Sequence, residues 1–278
     1  MAEPYLLLKG CPINEMANYF ESHLSSDIAD YPGGIVLPMD KPLRWTSADL
    51  VRKVKFQLQR HFHDKKLKVG HAGTLDPLAT GMLIICIGKA TKIAEELQSH
   101  EKEYVATVEF GASTASFDLE QEVDSFYPYE HITRRKVEEA LKRFIGEQEQ
   151  VPPVFSAKII GGLRAYEYAR AGAPVELRRS LITISSIDIL NWYEASSHLT
   201  TEDERKGPQA DFSQIKNVHN YHTAETASDG SRPSVTLRIR CSKGTYIRSI
   251  ARDLGLALDS GAYLTALRRT ASGDFRLE

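Results

Sequence analysis

At 278 residues, 42% hydrophobic and 26% charged, the chain has the composition of a globular protein of one large domain or two modest ones, which excludes a disordered chain. The longest apolar run, Met82 to Ile87, is far below the roughly 20 residues that span a bilayer, and no basic-then-apolar signal opens the chain, so a cytoplasmic protein with no membrane partner is expected. The net charge of -2 is unevenly spread: residues 1–30 carry five acids against Lys9, 194–231 carry seven against three bases, and 41–71 carry nine Lys or Arg against Asp49 and Asp64.

A basic body with acidic appendages suits a polyanionic partner, although a solvated charged helix face fits the same numbers. Cys11, Cys86 and Cys241 are far apart in apolar settings and form no C-x-x-C pair, so they read as reduced and structural.

Residues 1–32 show no clear cap or period and are set aside as an N-terminal extension. "GGIVLPMDKP", 33–42, reads as a short buried strand ended by Asp40 and Pro42. In "TSADLVRKVKFQLQRHF" Thr46 or Ser47 caps, Asp49 completes a T-x-x-D box, and Val51, Val54, Leu58 and Phe62 recur at helical spacing. This helix carries Arg52, Lys53, Lys55 and Arg60 away from its apolar stripe, and Lys65, Lys66 and Lys68 extend the basic patch towards the next loop. That loop, "VGHAGTLDPLATG", leads into "MLIICIG", a strand buried on both faces.

Next come a helix in "KATKIAEELQ" and an alternating strand in "KEYVATVEFG". A helix over 134–146 ends on glycine, and a glycine-hinged basic segment follows at 151–172, with Lys158 in it. Strand-like residues recur over 181–192. About forty polar and acidic residues, 194–231, read as a surface insertion. The alternation of Val235, Leu237, Ile239 and Cys241 then turns through "SKGTYIRS" into a helix bearing Ile247, Ile250, Leu254 and Leu258. Adjacent strand pairs interleaved irregularly with helices predict an α+β fold with a mixed, largely antiparallel central sheet flanked by helices and loops.

Three chemistries compete for the loop. A phosphate-binding P-loop needs a glycine at Leu83 and a Ser or Thr at Ala90, so "GKAT" does not fit. A metal site drawn from His61, His63, His71 and Asp76 lacks ligand spacing, and no metal is expected. The third is a carboxylate, Asp76, on a loop whose Gly70, Gly73 and Gly81 permit close approach and whose Pro77 fixes the turn. A turn aspartate bonded to its own backbone fits that loop equally. An ionised Asp76 in a dry pocket needs a nearby cation, for which Arg248 is a candidate, and Tyr246 offers a stacking face for a base.

Together "GHAGTLDPLATGMLIICIGKATK", "DKP" at 40–42, "KEY" at 102–104, "SAK...G..AYEYAR" at 156–170, "CSKGTYIRSIARDLG" at 241–255 and "LRR" at 267–269 resemble the TruB family of tRNA pseudouridine synthases. The resemblance covers roughly 33–194 and 232–278. It implies the pseudouridine synthase fold over 33–278 and isomerisation of uridine 55 in the TΨC arm of tRNA, with no cofactor. It also implies that Asp76 is the catalytic aspartate, that Arg248 pairs with it, and that Tyr104 serves in proton transfer. Tyr246 would stack on the uracil, His71 would hold the RNA loop extruded, Lys41 and Leu267 would line the pocket, and Gly73 would admit the nucleotide. Arg52, Lys53 and Lys68 would contact phosphates, and 151–172, with Lys158, would be the family's thumb.

Three positions depart from the family pattern. Ala115 stands where an acidic residue is usual, so that a contact is either missing or supplied by Asp118, and Gly161 and Leu163 replace polar or basic thumb residues. The chain ends about ten residues after "LRR", so a stand-alone enzyme is expected: no PUA domain, no guide RNA, a monomer acting on the tRNA TΨC stem-loop. The departures also motivate a rival, a non-catalytic RNA-binding or tRNA-folding module on the same fold.

Overall fold

The computed structural model describes residues 5–156, 158–173, 177–195 and 230–277; the acidic insertion lies almost wholly outside them. In chain order the elements are β1 (Leu6–Leu7), α1 (Met16–His23), β2 (Ile35–Lys41), α2 (Ser47–His61), β3 (Val69–Ala72), β4 (Ala79–Ile87), α3 (Ala94–Ser99), β5 (Lys102–Phe110), β6 (Ala112–Thr114) and β7 (Val123–Phe126). Then come α4 (Arg134–Leu141), β8 (Gly146–Gln150), β9 (Ile159–Ile160), β10 (Leu163–Arg164), α5 (Ala165–Arg170), β11 (Ser180–Tyr193), β12 (Ser234–Cys241), α6 (Ile247–Ala257), β13 (Ala262–Ser272) and β14 (Phe275–Arg276). Among the described residues no helix is long and apolar enough to cross a membrane. The chain divides into two compact units, residues 1–103 with 268–278, and residues 104–267.

In the first unit β1 pairs parallel with β2, β2 and β3 each pair antiparallel with β4, and β13 pairs antiparallel with β14. β4 is buried along almost its whole length, as its unbroken apolar run predicts. α2 begins with the reciprocal capping box, Thr46 accepting from the Asp49 N–H while Asp49 accepts from the Thr46 N–H, and buries Leu50, Val54 and Leu58. Such a cap stabilises a helix by about 1 kcal/mol.

The N-terminal extension is structured over its described part. β1 adds an edge to the sheet, and α1 packs on α2 with Phe20 fully buried and Met16 nearly so. The Ser25 carbonyl meets His61 Nε2 at 2.8 Å, and Tyr31 stands edge-on to Phe62. "KATKIAEELQ" opens as a 3-10 turn over Gly88–Ile93 before α3 begins.

In the second unit β5, β12, β11 and β8 are successive neighbours, β11 antiparallel to both β12 and β8. The helix predicted over 134–146 is shorter: α4 stops at Leu141, a 3-10 turn covers Lys142–Phe144, and Gly146, with φ +107°, already opens β8. One strong pairing sits in the interior. Glu109, fully buried, accepts 2.9 Å bonds from both Arg232 and the Tyr263 hydroxyl. The expected α+β class with a mixed, largely antiparallel sheet is what the molecule has.

Candidate active site

The loop from Gly73 to Pro77 is held by its backbone. Each of its five carbonyls accepts a hydrogen bond: Gly73 from Arg269 Nη2 (3.1 Å), Thr74 from Arg269 Nη1 (3.4 Å), Leu75 from Ser47 Oγ (3.2 Å), Asp76 from the Ala79 N–H (3.1 Å), and Pro77 from the Arg44 N–H (2.8 Å) and Lys41 Nζ (3.3 Å). Ser47, the first residue of α2, also accepts from the Leu75 N–H at 2.9 Å, so the helix start and the loop are tied both ways. A segment whose carbonyls are all occupied has little freedom to shift. Asp76 stands on it half-buried.

Two buried cations lie at the root of this loop. Lys41, at the end of β2, is fully buried and donates to the carbonyls of Pro42 (2.9 Å), Trp45 (2.5 Å) and Pro77. Burial pulls its ammonium down to about 7, and the Asp76 charge is the largest force in the other direction. Lys41 is therefore a clamp on three carbonyls rather than an open pocket wall. Arg269, only 1% exposed, adds a 2.7 Å bond from Nε to the Met82 carbonyl.

His71, in β3 opposite Ile85, is half-buried. Burial first, then the Arg269 charge, hold its imidazole below the ordinary range, against a hydrogen bond with the Gly73 backbone. Of the loop's glycines, Gly81 is required by the protein's own packing. A Cβ on Gly81 (φ +98°) would lie 2.2 Å from the Arg269 carbonyl, and one on Gly73 (φ +94°) 3.5 Å from Arg269 Nη1. Gly73 is itself buried.

The basic residues of the first unit separate into two places. Arg52 and Lys53 lie in the first two turns of α2, whose start is bonded to the Asp76 loop; Arg52 pairs with Asp49 at 2.8 Å and Lys53 sits 5.5 Å from the Trp45 ring centre. Lys65, Lys66 and Lys68 do not reach the glycine loop as expected. β3 runs antiparallel to β4, so exposed Lys68 lies at the β4 end remote from Asp76, its carbonyl accepting from the Gly88 N–H at 2.8 Å.

In the second unit Tyr246 is the N-cap of α6 and Arg248 stands in its first turn. Arg248, 3% exposed, donates to the carbonyls of Ser116 (3.1 Å) and Phe155 (2.8 Å) and lies 3.7 Å from Asp118. Asp118 is fixed by Ser116 Oγ (2.6 Å) and the Glu120 N–H (2.9 Å). The acidic residue beside Arg248 is thus Asp118, three residues after Ala115. Gln150 clasps Tyr246 through both its backbone groups, at 2.8 and 3.1 Å.

Tyr104 is nearly buried in β5, and Leu267 is half-buried in β13. The thumb-like segment is a hairpin, β9 with β10, turning on Gly161 and Gly162 at φ +58° and +89°; two positive φ values are what a two-residue type I′ turn demands. That need explains Gly161. Leu163, half exposed, pairs with Ile160 across the hairpin. Lys158 donates to the Arg178 carbonyl (2.8 Å) and to Ser180 Oγ (3.1 Å), anchoring the hairpin's base.

Reasoning from the sequence alone missed Arg269 and Gln150. For Arg269 the signal is its place in "LTALRRTAS", where it shares a strand face with Leu267 and Ala271; Gln150 carries no local signal.

The family model described as TruB family pseudouridylate synthase (N terminal domain) matches residues 59–207. A tRNA pseudouridine synthase B of Phocaeicola vulgatus is 49% identical over 249 residues, covering 90% of this chain and 90% of that relative. One of Flavobacterium johnsoniae is 43% identical over 247 residues, covering 88% and 91%. Among solved structures, a chain in a Cbf5-Nop10-Gar1 complex is similar with a TM-score of 0.53 and 25% identity, over 87% of this chain and 50% of that one.

Proposed function

The chain belongs to the TruB family of pseudouridylate synthases, and from that premise we propose that it converts uridine 55 in the TΨC arm of tRNA to pseudouridine, with Asp76 as the catalytic carboxylate. The N1–C1′ bond breaks, the uracil turns, C5 bonds to C1′, the C5 proton leaves and N1 gains one, so the product is an isomer and no co-reactant is consumed. Asp76 attacks C1′ or assists elimination of the base, Tyr104 serves in proton transfer, and Arg248 supplies the counter-charge that a desolvated carboxylate needs. The same reading has a monomer acting on tRNA in the cytoplasm without a guide RNA.

The observation that carries the reading is the pinned loop. C1′ of a stacked nucleotide is out of reach, so the nucleotide must be flipped out at a cost of a few kcal/mol, and the reacting carboxylate must then meet it within about 3–3.5 Å. Five occupied carbonyls deliver that fixity to Asp76.

Asp76→Asn keeps the side-chain shape and removes the charge. Mass spectrometry of tRNA incubated with the purified variant is expected to find no pseudouridine, with tRNA affinity within about threefold of wild type. Product at wild-type rates would rule out Asp76, whereas wild-type protein that binds tRNA and leaves it unmodified would favour the non-catalytic RNA module.

A further inference from the structure

Arg269 is a buried cation for which the loop, and not an acid, provides the partners. Among the described residues its guanidinium enters no ion pair, while its neighbour Arg268 pairs outward with Asp40 at 2.6 Å. Its three donors go to the carbonyls of Gly73, Thr74 and Met82. Gly73 and Thr74 enter the loop; Met82, the fourth residue of β4, leaves it. Asp76 lies between these anchor points.

The backbone reinforces the side chain. Gly81 leaves room for the Arg269 carbonyl, which sits where the missing Cβ would be. β13 therefore presses on the exit of the loop with its main chain while its arginine fork reaches back to the entrance. A planar guanidinium presents diverging N–H donors to carbonyls that stand apart, whereas an ammonium, as at Lys41, gathers its donors at one point. After burial, the Arg269 charge also disfavours protonation of His71.

We propose that Arg269 is a positioning residue for the reaction: it sets the place of the Asp76 carboxylate by stapling the two ends of its loop. The role requires the fork and not only the charge, and two variants separate fork from charge. The assignment rests on the catalytic reading of Asp76, and two of its three readouts are independent of turnover.

The experiment compares Arg269→Lys and Arg269→Gln with wild type in the full chain. It measures hydrogen exchange over residues 73–79, the His71 titration by NMR, and kcat and KM on tRNA. In Arg269→Lys the His71 titration is expected to stay low, exchange in the loop to rise tenfold or more, and kcat to fall about a hundredfold, the effect of a misplacement near 1 Å, with KM within about threefold. In Arg269→Gln the His71 titration should move up as well. A lysine variant with wild-type exchange and kcat overturns the proposal. Loss of folding in both variants, seen as absent cooperative melting, makes Arg269 a purely structural residue and also overturns the proposal. Should wild-type protein prove inactive on tRNA, the proposed function fails, while the exchange and titration data still decide Arg269.

Discussion

Single residues near Asp76 show how the interior sets protonation. His71 titrates below the 6.5 of a free imidazole, because burial and Arg269 oppose its charge. The unfolded chain therefore binds a proton before the folded one does. Stability is fully present above about 6.5 and falls as the pH drops from there through the lower folded value. Thermal melts from pH 7.5 to 5 should show wild type losing more Tm than His71→Asn, and parallel curves would refute the assignment. Much at this scale was legible: Thr46 and Asp49 announced their capping box, and a contact from Asp118 was one of the two alternatives named at Ala115. Arg269 and Gln150 were not, because each acts on backbone groups far along the chain, and a carbonyl leaves no mark in a sequence.

Elements were legible where burial follows a period. α2 matches its predicted range because it has a cap and a stripe; the apolar run of β4 was legible, but the strand begins three residues before it, at Ala79. α1 was invisible because only Met16 and Phe20, one helical turn apart, face inward, too few to reveal a period. β13 was obscured by arginines inside an otherwise ordinary strand. The extension nevertheless belongs to the first unit's core, and Phe20→Ala is expected to destabilise it by about 3 kcal/mol or more, read by urea unfolding. A change below about 0.5 kcal/mol would mean that α1 contributes little to α2.

Across the whole molecule, charge is the property that the sequence conveys and local geometry does not. Acidic segments sit at 1–30 and 194–231, and the rest of the chain carries the positive excess. If tRNA is the partner, phosphate contacts dominate affinity, and log K should fall with log salt at a slope of about -3 to -5, each neutralised phosphate contributing about -0.7 to -0.9. Filter binding from 50 to 300 mM salt reads this slope, and a flat line would exclude a phosphate-led interface. The boundaries of the two compact units fall inside β5 and β13, where a change in composition cannot mark them.

In the second unit the chain leading into the thumb hairpin is fastened to the start of α6 at Gln150, Val151 and Phe155. Gln150 holds Tyr246, the Val151 carbonyl takes Ser249 Oγ (2.9 Å) and Arg252 Nη2 (3.1 Å), and the Phe155 carbonyl takes Arg248. The chain that enters the hairpin and the guanidinium of Arg248 are therefore joined directly, through the 2.8 Å bond at Phe155.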